Sequence, residues 1–401
     1  MNMRKLIAVA ASAAIPMAAN AAWDTTTVYS ATTDDGITWR YVMDEDKTQI
    51  GLYSTAGKNQ GSIIPTSLTG VCYIPATLTH EDGVEYNVTA FPYQPFVGCS
   101  ISGLVLPETD SFAQKHGTYG SNSGGKQFFD NMKSVVAIWW KGPKTVASGT
   151  QPVADLGRTT NTFRSDTSLH VVLLGPNVGY SENGGATYPL FTGLTGVKAF
   201  VPKARWTAIT DTIFGGTNCK VIRYGAGENI DVSIDGTFTV TTAERVNDVL
   251  SVAGDLYTYC GLTPTIKVET PIDEAIEIPE SAFGKVKFDL HARMTFKVTT
   301  QNQLNATFNA ITTDDYLFLD TSEATETLTM PAGQPLAVYK VKTQAQLNSV
   351  LASFSSSSII YVDPSGATEK LVVPDGHKVM VFLNAGSSIK TGADGLMIIV
   401  K

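Results

Sequence analysis

The sequence predicts a mainly β fold in two parts, an irregular solenoid of short strands followed by a β-rich repeat domain with short capped helices. Three observations carry that reading. The spacing apolar-x-x-apolar-x-apolar recurs five times between Leu68 and Ala199. A different phrase, a strand followed by a threonine-capped helix, recurs three times after Gly227. Ahead of both stands a segment with the three parts of a secretory leader.

That leader begins with Arg4 and Lys5, continues as an apolar run from Leu6 to Ala14, and ends in the small residues Ala19-Asn20-Ala21. Residues 1–21 are therefore read as a signal peptide cleaved before Ala22, in preference to a buried helix of the fold. The apolar run is far short of the roughly 20 residues a membrane span needs, and Pro16 breaks a helix. No later segment is long and apolar enough to span a bilayer. The expected location is outside the cell or on its surface, with the periplasm as an alternative.

The chain carries 29 Lys and Arg against 37 Asp and Glu, a net charge of -8, and losing Arg4 and Lys5 makes it more acidic still. An acidic surface argues against a nucleic-acid partner held through phosphates, and against anionic lipid. Charged residues make up 16% and hydrophobic ones 43%, so an ordered core forms without a membrane. The cysteines Cys72, Cys99, Cys219 and Cys260 lack the short spacing of a metal-binding pair. Two disulfides can form after export, although Cys99 sits at a repeat position and reads equally as a small buried hydrophobe.

The first repeat is carried by Leu68, Val71 and Tyr73; Ile101, Leu104 and Leu106; Val135, Ile138 and Trp140; Leu169, Val172 and Leu174; and Leu194, Val197 and Ala199. Phe96, Phe129, Phe163 and Phe191 precede four of these triplets, and Pro75, Pro107, Gly142, Gly175 and Pro202 follow them. Each unit reads as an aromatic plug, a strand with alternate side chains in a core, and a residue that stops the ladder. One unit cannot bury its apolar face alone, so the units must stack. The helical spacing of ankyrin or tetratricopeptide units is missing.

Residues 61–203 resemble the leucine-rich repeats of the BspA-like type found on microbial surfaces. The clearest phrase runs from Val88-Thr89-Ala90 through Phe96-Val97-Gly98-Cys99 to Leu104-Val105-Leu106-Pro107, and Gly36 to Tyr41 is similar to the strand that often precedes such repeats. The asparagine or cysteine ladder of better-known leucine-rich repeats is absent, and the segments Gln114–Lys126 and Ala147–Thr162 exceed the usual unit. An irregular β domain is the competing reading. The domain extends over residues 22–225, and the resemblance implies surface adhesion or recognition.

Tyr224-Gly225-Ala226-Gly227 reads as the joint to a second domain over residues 226–401. There Phe238, Phe296 and Tyr339 open strand-like triplets that end on Val240, Val298 and Val341. Thr300 with Gln303, and Thr343 with Gln346, make capping boxes, and Thr241 with Glu244 offers the same pairing in the first copy. Leu250, Phe308 and Leu351, each four residues beyond another apolar residue, mark one helix face. The last two copies keep register at an offset of 43. This order of elements is similar to the opening coil of secreted right-handed β-helix proteins. A compact domain of three strand-helix-strand units is its equal competitor.

No catalytic set is expected, and no cofactor or metal. Gly120 to Lys126 has the spacing of a phosphate-binding loop, but Gln127 replaces the Ser or Thr that holds magnesium, so a flexible insertion is expected. His80, His116, His170, His291 and His377 are scattered without ligand spacing, and no Ser lies in a G-x-S-x-G elbow. Asp34-Asp35 and Asp314-Asp315 read as turn acids outside any calcium-loop pattern. Strand alternation points Trp140 inward and leaves Trp139 as the candidate ligand contact, with crevice filler as the alternative. The resulting expectation is an exported, non-enzymatic binding or adhesion protein with an extracellular protein or glycan as partner. The alternatives are a structural surface-layer or spacer protein, and a β-helix polysaccharide lyase or hydrolase. Amino-terminal sequencing of the exported protein should begin at Ala22; an intact Met1 contradicts the leader assignment.

Overall fold

The computed structural model describes residues 23–55, 61–92, 94–109, 117–118, 129, 131–144, 163, 165–179, 190–206, 215–313, 317–320, 325, 328–329, 339–353, 359–363, 368–374, 377–381 and 388–389. The leader, the Gly120–Lys126 segment, the Ala147–Thr162 segment, His116 and the Asp314-Asp315 pair lie outside the described residues. The chain is mainly β.

The amino-terminal half comprises β1 (Trp23–Thr32), β2 (Thr38–Asp44), β3 (Ile50–Leu52), β4 (Gly70–Tyr73), β5 (Thr77–Thr79), β6 (Glu85–Phe91), β7 (Ile101–Glu108) and β8 (Gly117–Thr118). It continues through β9 (Ala137–Gly142), β10 (Val171–Leu174), β11 (Lys198–Pro202) and β12 (Lys220–Tyr224). One sheet has the order β1-β2-β3-β6-β5, with β8 beside β6. The second sheet, β4-β7-β9-β10-β11-β12, is parallel throughout.

In the second sheet the middle units keep the expected register: Leu104 lies opposite Ile138 and Ile138 opposite Val172, while Leu106, Trp140 and Leu174 align likewise. The end units differ. Cys72, not Val71, lies opposite Leu104, after a register shift between Gly70 and Val71. A one-residue slip exchanges faces, so Cys72 and Ile74 enter the core and Tyr73 is 49% exposed. Ala199, not Val197, lies opposite Val172; that two-residue slip keeps the face.

Beneath one face, Phe96, Phe129, Phe163 and Phe191 are fully buried and stack in a column with centroid separations of 5.9, 5.3 and 5.4 Å. Two residues after each phenylalanine the chain turns left-handed, at Gly98, Asn131, Ser165 and Gly193, with φ of 65, 63, 65 and 80°. The third residue's N–H closes the turn onto the phenylalanine carbonyl in three units, from Cys99 (3.3 Å), Asp166 (3.3 Å) and Leu194 (2.9 Å). In the remaining unit, the Met132 N–H donates instead to Oδ1 of the buried Asp166 (2.5 Å), joining neighbouring units.

The carboxy-terminal half begins with β13 (Ile230–Val232), β14 (Thr237–Val240), α1 (Ala243–Cys260), β15 (Thr265–Val268), β16 (Ile272–Ile276), β17 (Lys287–Leu290) and β18 (Met294–Lys297). It continues with α2 (Gln301–Ala310), β19 (Ile311–Thr313), β20 (Leu317–Asp320), β21 (Leu328–Thr329), β22 (Tyr339–Lys340), α3 (Gln344–Ala352), β23 (Ile359–Asp363), β24 (Lys378–Val381) and β25 (Ser388–Ile389). Two sheets form, β13-β14-β15-β17-β19 and β16-β18-β20, with successive strands alternating between them from β15 to β20 and all pairs but β13–β14 parallel. The Phe-type turn recurs here: Ala282 takes the plug position, Gly284 has φ 68°, and the Lys285 N–H returns to the Ala282 carbonyl (3.0 Å).

Thr242, Thr300 and Thr343 are the three N-caps, accepting from the N–H groups of Arg245, Gln303 and Gln346. The first cap is thus Thr242 rather than Thr241, whose hydroxyl is engaged with Asn229. Units two and three are equivalent in their bonding as well as their sequence. Gln303 accepts from the Thr299 N–H as Gln346 does from Lys342, and Thr325 donates to the Thr299 carbonyl as Thr368 does to Lys342. Unit one departs from them, because β14 and β18 lie in different sheets and α1 runs for 18 residues.

The joint at Gly225 is a turn that does not divide the core. Val105, Trp139, Leu173, Phe200, Ile222 and Tyr224 on the free face of the parallel sheet pack into one cluster with Phe238, Val249, Leu256 and Phe288. α1 lies across that face along the lateral row Gly103, Ala137, Val171, Lys198, Lys220, whose members pair strand by strand. One helical turn advances about 5.4 Å and neighbouring strands lie about 4.8 Å apart, so each turn meets one strand. Side chains shorten along the row, and at Gly103 a Cβ would sit 1.4 Å from the Tyr259 carbonyl oxygen. On α1's other side a Cβ at Gly254 would stand 2.7 Å from the Ser281 carbonyl oxygen, which accounts for glycine within a helix.

Charges fix the helix along the row. Lys220 Nζ lies 2.8 Å from Glu244 and 2.8 Å from Asp248; Lys198 lies 3.7 Å from Asp248; His170 lies 3.4 Å from Asp255. Asp248 is buried and also receives Arg245 at 2.7 Å. Burial draws the Lys220 value down, but its hydrogen bonds to Asp248 and Glu244 raise it above the usual lysine range. At Lys198 burial prevails over Asp248 and the value falls. The phenylalanine column predicts that Phe96→Ala, Phe129→Ala and Phe191→Ala each cost about 3–5 kcal/mol in denaturant unfolding; unchanged midpoints in all three contradict the stacking.

Candidate functional site

The structure corrects the expected exposure of Trp139. Its side chain does face away from Trp140 and the phenylalanine column, yet it is only 8% exposed, because that outward face is the one covered by α1 and the strands that follow. Lys141 Nζ lies 4.3 Å from its ring centroid. Trp139 therefore packs in the interface between sheet and helix.

Polar aromatic side chains gather elsewhere, at the end of the core formed by the first sheet. Antiparallel pairing sets Tyr29 of β1 opposite Tyr41 of β2, and the rings stack at 5.6 Å. The hairpin between β5 and β6 turns through His80-Glu81-Asp82-Gly83, with the His80 N–H bonded to the Val84 carbonyl (2.8 Å) and the Gly83 N–H to the His80 carbonyl (2.9 Å). This brings His80 edge-on to Tyr29 at 4.6 Å and to Tyr86 at 5.9 Å. Tyr41 is buried, while Tyr29, His80 and Tyr86 are half-buried and Asp82 is exposed.

Hydrogen bonds orient these groups. The Tyr41 hydroxyl and His80 Nδ1 are 2.7 Å apart. Burial first, then the charge of Glu81, pushes the Tyr41 value up to about 12, so its phenol keeps its proton. A buried hydroxyl needs a partner, and His80 Nδ1 stands within reach; with the Tyr41 hydroxyl as donor, the imidazole proton sits on Nε2. Tyr86 donates to Asp82 Oδ2 (2.9 Å), and the Val84 N–H donates to Asp82 Oδ1 (2.8 Å). The Val84 bond, followed by that of Tyr86, holds the Asp82 carboxyl below its ordinary value.

A second group of charges lies on β15, β17 and the residues after them. Lys267 is 2.7 Å from Glu269 and His291 is 3.1 Å from Asp289, with Lys267 in register with Asp289. Glu269 and His291 are more than half exposed and each acid already has a basic neighbour two residues away on its own segment. Exposed pairs of this kind are screened by solvent and stabilise little. Among the described residues no group of three or more His, Cys, Asp or Glu is placed to hold a metal ion. Nor is any described helix long and apolar enough to cross a membrane. All four cysteines are thiols, with Cys72, Cys99 and Cys260 buried and their values raised by that burial.

Sequence reasoning placed His80 among scattered histidines and passed over Tyr29, Tyr41 and Tyr86. The legible signal was Asp82-Gly83 between two strand-like runs, which marks a hairpin and sets His80 near Tyr86. The pairing of β1 with β2 had no comparable mark. No protein-family model, curated protein or solved structure matches the chain. The covered position of Trp139 predicts that Trp139→Ala lowers stability by about 3–5 kcal/mol, read from the urea midpoint; an unchanged midpoint contradicts its burial.

Proposed function

We propose that the chain is an exported, non-enzymatic binding or adhesion protein that presents its repeat surfaces to an extracellular protein or glycan. On this reading the parallel sheet and phenylalanine column belong to a BspA-like leucine-rich-repeat stack, and the alternating strands of the second half resemble a right-handed β-helix coil. The observation that carries the reading is where polar aromatic chemistry is exposed. Tyr29, His80 and Tyr86 lie half-exposed at the end of the core beside Asp82, each oriented by a neighbour. Such a surface suits recognition, in which rigid aromatic groups supply contact area at low entropic cost.

The whole chain is the material for the test, because the core is continuous across Gly225. Immobilised matrix proteins, mucin and cell-wall glycans should give saturable binding by at least one of them. A polysaccharide panel should release neither reducing ends nor unsaturated sugars. Turnover that disappears in Asp289→Asn or His291→Gln contradicts the proposal and favours a polysaccharide-degrading enzyme.

A further inference from the structure

We propose that Tyr29, His80, Tyr86 and Asp82 form a subsite for a neutral hexose-type glycan; the proposal rests on the binding function above and names the ligand class for this cluster. The argument starts from the donors and acceptors that the internal bonds leave facing out. Nδ1 of His80 is taken by Tyr41, which leaves Nε2 as the ring nitrogen that faces a ligand and, with Tyr41 donating, the one that carries the proton. Asp82 spends one acceptance on the Val84 N–H and one on Tyr86, and an ionised carboxylate has further lone pairs for hydroxyl donors. Tyr86, having donated to Asp82, offers its oxygen as an acceptor. One donor beside two acceptors is the complement that adjacent sugar hydroxyls need, since each both donates and accepts.

The apolar part of the site comes from the rings. Tyr29 and Tyr86 pack against the core on one side and are half-exposed on the other, so they are held in place while part of each remains accessible. Pyranose C–H surfaces pack on such rings with little loss of side-chain entropy. Charge narrows the class further. Glu81, Asp82 and Glu85 lie within one hairpin and are exposed, and Arg40, next to Tyr41 in sequence, is turned to the Ser54 and Thr55 carbonyls at 3.3 and 3.0 Å. An anionic sugar would meet the carboxylates of Glu81, Asp82 and Glu85, so uronic and sialic acids are disfavoured.

The test is calorimetric titration of the full chain with gluco-, manno- and galacto-oligosaccharides, alongside oligogalacturonate, a chitosan oligomer and a matrix protein. One neutral oligosaccharide should bind saturably, at least tenfold more weakly to Tyr29→Ala and several-fold more weakly to Tyr86→Phe and His80→Gln, and equally to Lys267→Ala. Circular dichroism and the unfolding midpoint report the fold of each variant; should Tyr29→Ala fail to fold, the Tyr86 and His80 variants decide. Affinity unchanged in those variants overturns the proposal. Preference for the polyanion or the chitosan oligomer overturns it too. Binding of the matrix protein with no neutral sugar bound overturns the glycan assignment while leaving the binding function standing, and failure of every ligand removes both.

Discussion

The architecture depends on the docking of α1 across the parallel sheet. A sheet whose strands read Ile-Trp-Trp or Val-Val-Leu-Leu has apolar side chains on both faces and must be covered twice. The phenylalanine column covers one face; α1 and the strands after it cover the other. Shape permits the contact, since Gly103 lets the Tyr259 backbone approach where any side chain would collide. Charge then helps to set its register, with Lys220 meeting Glu244 and Asp248, Lys198 sharing Asp248, and His170, just before β10, lying beside Asp255 two turns further on. The buried Asp248 is the sensitive member of that set, because removing one partner from a buried ion pair costs about 3–5 kcal/mol.

This docking decides what the surface can do. An open parallel ladder would offer a long apolar and aromatic face to a partner, and Trp139 would stand near its middle. With α1 in place that face is interior, and the tyrosines and histidine of the proposed binding surface lie instead on the first sheet. The same packing ties the two halves together, because the strands of a single sheet contribute alternate side chains to the clusters on its two faces.

Much of the repeat pattern was legible because it is local. Phe96 and Leu104 announce a plug and a strand through spacing alone, and the capping boxes at Thr300 and Thr343 need only four residues each to be recognised. The register at Cys72 was not legible, since a shift beside Gly70 reverses inside and outside without changing the apolar spacing. The cap at Thr242 was missed because Thr241 stands next to it and has a Glu three residues on. The burial of Trp139 lay beyond any local pattern, as it depends on a helix that begins 104 residues later. The same holds for the tyrosines around His80, which come from three strands.

Hydrogen exchange resolved by peptide tests the helix docking most directly. If α1 covers the sheet and the two halves share one core, the amides of α1 and those of β7, β9, β10 and β11 should open in one cooperative step with the same free energy. Exchange through α1 that is faster by orders of magnitude than in the strands beneath it would contradict the account.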